Sequence, residues 1–167
     1  MKHIKHFKDF NEHHIQTNGQ IFWGNIGAGI LPICKNTKRI LVGLRSSEVL
    51  EPNTWGTFGG KLDIDEGIEE SIREGAIREL EEELGYKGNI DLIDAFIFRS
   101  GSFEYHNFFG IVDEEFEYSL DWENDDAKWM TVEELYQIPN KHFGLITFQQ
   151  IYIKILINTN KYTKNVY

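Results

Sequence analysis

The stretch from Ser71 to Gly85 limits what this chain can fold into more than any other. Ser71 followed by Glu74 has the form of a capping box, Ile72, Ala76, Leu80 and Leu84 recur every fourth residue, and Gly85 suits a left-handed C-terminal cap. The spacing predicts one helix over 72–84 with an apolar stripe along it. Within that helix runs Arg78-Glu79-Leu80-Glu81-Glu82-Glu83-Leu84. At about 100° per residue, Glu79, Glu82 and Glu83 fall inside an arc of about 100°, because positions three and four apart are neighbours on a helix. Three carboxylates on one arc repel one another, and a hard cation with a preference for oxygen, such as Mg²⁺, would relieve the repulsion. A glutamate run by itself is more often a solvated face, so its surroundings decide.

Those surroundings alternate strands and helices. Ile26–Cys34 is an apolar run that predicts a buried strand, Lys35-Asn36-Thr37 a turn, and 39–45 a second strand, the two forming a hairpin. A short extended piece over 55–61 closes on Gly59-Gly60, which marks a close backbone approach. After the helix, 91–99 and 103–113 read as strands around Ser100-Gly101-Ser102, followed by an acidic loop over 113–126 and a short strand at 128–130. Thr131 with Glu134 caps a brief helix that Pro139 ends, and 144–158 makes a final helix. The pattern predicts one α/β domain over 1–167. The first twenty residues hold His3, His6, His13 and His14 without periodicity and read as a surface extension, not a metal site.

Composition narrows the function. At 167 residues the chain is one domain's worth, and 41% hydrophobic residues exclude disorder except at the ends. A formal charge of −10 argues against loose binding to nucleic acid or anionic lipid, and a polyanionic substrate would need cations beside it. The single cysteine, Cys34, rules out an internal disulfide and a Cys-rich zinc site. The longest apolar stretches, such as 26–34 and 151–157, fall short of the ~20 residues of a spanning helix, and no signal-peptide core stands at Met1. The expectation is a soluble cytoplasmic protein without a membrane partner.

From Gly59 to Tyr86 the chain resembles the Nudix hydrolase signature: a glycine, five residues, Glu, seven residues, Arg-Glu, an aliphatic residue, any residue, Glu-Glu, any residue, Gly and a hydrophobic residue. The right half agrees at every fixed position, with Glu70, seven residues, then Arg78 to Tyr86. The left half departs, since nine residues separate Gly60 from Glu70, while Glu66 has the five-residue spacing but stands eleven residues before Arg78. We take Glu70 as the box glutamate, because helix geometry fixes its spacing to Arg78 and extra loop residues cost little; 63–67 is then an insertion. Phe58 stands where the family often has proline.

The resemblance implies a Nudix-type α/β/α sandwich with a mixed sheet, carrying the catalytic loop and helix of the box at 59–86. It implies that Glu79, Glu82 and Glu83 hold Mg²⁺ or Mn²⁺, with a carbonyl at Gly59 or Gly60 adding an oxygen. That cation would neutralise a substrate diphosphate and activate the attacking water. Arg78 would pair with Glu70 and pin loop to helix, and Gly85 closes the box. A downstream acid often completes such a site; Glu123 is preferred to Asp125 and Asp126, on a loop free to carry it inward.

Arg45 and Lys61 are the candidate phosphate contacts, against the commoner reading of surface charges. Trp55, Phe58 and Tyr105 could stack on a base but more often would be core, and Cys34 and Met130 read as packing. The basic C-terminal residues Lys141, Lys154, Lys161 and Lys164 leave a homodimer contact open. The implied activity is Mg²⁺-dependent hydrolysis of a diphosphate bond in a nucleotide-type small molecule. Nucleoside triphosphates and dinucleoside polyphosphates stay open as substrates, as does an RNA 5′ end, the one nucleic acid not set aside. Two alternatives compete: an isoprenyl-diphosphate isomerase on the same fold, which would need a catalytic cysteine, and a nucleotide-binding module without catalysis, which would show a degraded metal helix.

Overall fold

The computed structural model describes residues 14–17, 20–23, 26–62 and 71–152. Strands β1 (His14–Thr17) and β2 (Gln20–Trp23) pair antiparallel as a separate two-stranded sheet, so strand structure begins at His14, within the stretch read as an N-terminal extension. The main sheet has seven strands: β3 (Ile26–Cys34), β4 (Ile40–Arg45), β5 (Trp55–Gly56), β6 (Phe58–Lys61), β7 (Asp91–Ser100), β8 (Phe103–Val112) and β9 (Asn124–Met130). Helix α1 (Ile72–Leu84) follows β6, α2 (Val132–Gln137) follows β9, and α3 occupies 143–152. No helix among the described residues is long and apolar enough to cross a membrane.

β3 is the centre of the sheet and is buried along nearly all its length. Its even residues Ala28 and Ile30 face a core shared with Ala76, Leu80 and Leu84 of α1, while Leu31 and Ile33 face a second core with Leu135, Leu145 and Phe148 from α2 and α3. A strand covered on both faces needs apolar residues at every position, which is why 26–34 shows no alternation. The result is helix, mixed sheet, helix. β8 runs parallel to β3 from Ile26↔Glu104 to Cys34↔Val112, and the other pairings are antiparallel.

The expected hairpin between β3 and β4 is held by the single pair Ile33↔Ile40. Beyond it the strands part, because β6 takes the edge of β3 from Gly27↔Lys61 to Ile30↔Phe58 while β4 pairs with β9 and β5. Phe58 is the wedge: it is fully buried, it sits opposite Ile30, and its ring lies so close over Gly43 of β4 that a Cβ there would be 2.7 Å away. The split drives Gly59-Gly60 into the sheet beside α1.

α1 begins and ends where the caps require. Ser71 accepts from the Glu74 N–H, Glu74 accepts from the Ser71 N–H, and Gly85 is left-handed at φ 67°. Leu80 and Leu84 contribute about 1.5–3 kcal/mol each by burial, and that holds the helix down although its buried face also carries Glu79 and Glu83. β9 starts four residues before the expected strand, at Asn124, because a bulge opposite Leu44 and Arg45 lets the acidic residues turn outward and keep pairing. α3 begins at 143, one residue early, and its expected continuation to 158 lies outside the described residues.

Candidate active site

Four glutamates meet where β6 enters the sheet. Glu79 and Glu83 are 4% and 5% exposed, whereas Glu82 on the outer side of the same arc is exposed. The fourth, Glu123, arrives from the acidic loop, which is docked and not free as expected. The last carbonyls of a helix lack intrahelical partners, and the loop supplies them: Ser119 N–H donates to Leu84 O at 2.9 Å and Asp121 N–H to Glu83 O at 3.1 Å. Glu123 is then fixed by its own backbone. Its N–H donates to Asp121 Oδ1 at 2.9 Å and its carbonyl accepts from Ser46 N–H at 2.8 Å.

The glycine pair is shaped around these carboxylates. A Cβ at Gly60 would lie 2.5 Å from Glu79 Oε2. Gly59 has φ +153° and donates its N–H to Glu83 Oε1 at 2.5 Å, while Asn124 Nδ2 donates to Glu83 Oε2 at 2.6 Å. Arg78 Nη1 stands 2.8 Å from Glu79 Oε1 and 3.4 Å from Glu82 Oε2, and its Nη2 donates to Lys61 O at 3.2 Å, tying α1 to β6. Glu66, Glu70 and the insertion 63–67, and with them the expected pairing of Arg78 and Glu70, lie outside the described residues.

Crowding of like charges out of water shows in the protonation of the cluster. Burial, helped by Glu123 and Glu82 and opposed by Arg78, pushes the Glu79 carboxyl up to about 8. Burial with Glu123 and Glu79 raises Glu83 well above the usual carboxylate range, against the Asn124 hydrogen bond. Glu123 is pushed up to about 7 by burial and then by Asp121 and Glu82, with Arg45 opposing. Arg45 therefore stands within reach of Glu123's field, its Nε donating to Leu50 O at 2.9 Å. Lys61 is half-buried and is joined to the cluster through its carbonyl alone among the described contacts. Gly85 caps α1 and takes no part in the cluster.

Phe58 is core; Trp55 is half-buried with Lys128 Nζ 5.5 Å from its ring centroid. Tyr105 fills a slot that needs glycines: a Cβ at Gly27, Gly29 or Gly59 would lie 2.6 Å from its ring or hydroxyl. Burial and the charges of Glu83 and Glu79 raise its pKa, which puts the phenol in the field of the cluster. Asn124 was not anticipated. The signal available in the sequence was its place as the one uncharged residue of Glu123-Asn124-Asp125-Asp126.

Among the described residues no three His, Cys, Asp or Glu side chains converge tightly enough to grip an ion as they stand. The donor set nevertheless fits a hard divalent cation. It offers carboxylate oxygens only, it leaves Arg78 and Arg45 to counter four glutamates, and Gly60 keeps open the space in which the Glu79 carboxylate sits.

Comparison with known proteins places the chain in a family. A family model described as NUDIX domain matches residues 25–148. No curated protein matches. Among solved structures, the chain is similar to a Nudix hydrolase from M. smegmatis at 16% identity, covering 88% of this chain and 96% of that one with a TM-score of 0.66. It is similar to a C. elegans Ap4A hydrolase at 17% identity, covering 79% and 98% with a TM-score of 0.62. It is also similar to an E. coli dihydroneopterin triphosphate pyrophosphohydrolase at 19% identity, covering 78% and 97% with a TM-score of 0.60. Identities this low speak for the fold alone.

Proposed function

The chain belongs to the Nudix family, and from that premise we propose that it hydrolyses a diphosphate bond in a nucleoside diphosphate derivative with the help of Mg²⁺ or Mn²⁺. The observation that carries this reading is the meeting of Glu79, Glu83 and Glu123, each with a raised pKa, against a glycine pair that only an uncrowded backbone can supply. Glu79, Glu82 and Glu83 would hold the cation, joined by a carbonyl of Gly59 or Gly60. When bound, the cation offsets substrate charge and makes water a better nucleophile at neutral pH.

The chain's own groups do the rest. Glu123, with a carboxyl near neutrality, takes the proton from the attacking water and serves as general base. Arg45 offers its guanidinium to a substrate phosphate at the mouth of the cluster, with Lys61 on β6 as a second cation. Arg78 keeps Glu79 and Glu82 turned toward one point. The isomerase reading is set aside because Cys34 is buried at the far end of β3, five residues or roughly 17 Å along the strand from Gly29. The single cysteine favours a reducing cytoplasm as the site of action.

Incubation with a panel of nucleoside triphosphates, dinucleoside polyphosphates and capped RNA 5′ ends, with Mg²⁺ and with EDTA, tests the reading when products are identified by mass. Compounds of the kinds for which two relatives are named, Ap4A and dihydroneopterin triphosphate, head the panel. Cleavage at a phosphoanhydride with Mg²⁺ alone is expected; binding without turnover across the panel would favour a nucleotide-binding module.

A further inference from the structure

β9 carries a feature that the Nudix box does not explain. Ala127 and Trp129 point to the core beneath α1, so strict alternation would send Asp125 to that face next. The bulge opposite Leu44 and Arg45 interrupts the alternation: Leu44 pairs with Asp126, and Arg45 with Asn124. Asn124 takes the inward place, 6% exposed, and Asp125 is left outside. Bulges re-aim side chains in this way beside active sites.

We propose that Asn124 is a positioning residue, re-aimed by the bulge so that its amide and the Gly59 N–H each hold one oxygen of Glu83 and leave that carboxylate's remaining lone pairs turned to a divalent cation. Two hydrogen bonds fix both oxygens, 2.6 Å from Asn124 Nδ2 and 2.5 Å from Gly59 N. Gly43 makes room for the amide, for a Cβ there would lie 2.5 Å from Asn124 Oδ1. Asn is the residue type this place requires. An ionised aspartate has no proton to donate and would bury one more negative charge beside Glu79, Glu83 and Glu123.

The inference rests on Glu83 being a cation ligand, and the test separates the two claims. Mn²⁺ is titrated into the metal-free full chain, without substrate, and free Mn²⁺ is followed by electron paramagnetic resonance for wild type, Asn124→Leu, Glu83→Gln and the double variant. Losing a partner that orients a ligand costs 10- to 100-fold in metal affinity, so Asn124→Leu is expected to weaken Mn²⁺ by about that factor. The double variant should bind no more weakly than Glu83→Gln, because Asn124 acts through Glu83. Turnover lost by Asn124→Leu at low Mg²⁺ should return at saturating Mg²⁺, which a general loss of fold would not allow. Asn124→Ser, smaller and still polar, gives the same comparison should the leucine variant not fold. Wild-type affinity in the Asn124 variants with lost affinity in Glu83→Gln would overturn the proposal alone; wild-type affinity in Glu83→Gln would overturn the ligand reading and the proposal together.

Discussion

Adjacent glycines in β6 should respond to the same substitution in opposite ways. In Gly60→Ala the new methyl meets Glu79 Oε2 at 2.5 Å and Cδ at 2.9 Å, both belonging to a side chain that can turn away. The carboxylate must retreat by about 1 Å to reach ordinary contact, and a displacement of that size in a reacting constellation costs about 10²-fold in rate. Stability should change by less than about 1 kcal/mol, because alanine also restricts the unfolded chain. In Gly59→Ala the methyl meets Ala28 O at 2.2 Å and Gly29 Cα at 2.4 Å, and φ is +153°. Backbone cannot rotate aside, so overpacking and dihedral strain add to about 2–6 kcal/mol. At about 2–4 °C per kcal/mol for a chain of this size the melting temperature should fall by roughly 4–24 °C. Melting curves with and without Mg²⁺, and steady-state rates on the best substrate, measure both. A Gly60→Ala protein with full activity, or a Gly59→Ala protein as stable as wild type, would refute the account of why two glycines stand there.

Other consequences concern the carboxylates. Glu79 holds its proton up to about 8 in the folded chain, against 4.5 as its ordinary value, so the folded state binds more protons between those limits. Metal-free stability is therefore full below 4.5 and is lost as pH rises through about 8; melts in EDTA should fall from pH 5 to pH 9, Mg²⁺ should narrow the gap, and Glu79→Gln should flatten the slope. Glu82→Gln and Glu83→Gln should each lower turnover by several orders of magnitude. Only Glu83→Gln should also melt early, because its amide would face the Gly59 or Asn124 donor. Glu123→Gln should cost ~10²–10⁴ in single-turnover rate, with Asp125→Asn and Asp126→Asn near wild type; an inactive aspartate variant beside a full-rate Glu123→Gln would move the base.

Much of this molecule is legible in the sequence where a local rule acts alone. The caps at Ser71 and Gly85 delimit α1 to the residue, and the box residues from Arg78 to Tyr86 lead to the family that the family comparison shows. Pairing partners are another matter. β3 and β4 look like a hairpin because the turn between them is local, yet Phe58, a distant residue, decides that they part after one pair. Asn124 stayed hidden for a related reason: period-2 reasoning puts Asp125 on the α1 face, and the bulge that reverses this exists only in the pairing of β9 with β4. Glu123 is a candidate by its place in the acidic loop, but its docking depends on carbonyls at the end of α1 that no motif announces.

Hydrolysis in H₂¹⁸O tests the central claim most directly. With Mg²⁺ present, one phosphate-containing product of the cleaved diphosphate should carry a single ¹⁸O and its partner none, and both EDTA and Glu83→Gln should abolish product. Cleavage that survives EDTA, or product free of ¹⁸O, would contradict an active site in which glutamate-held cations drive water onto phosphorus.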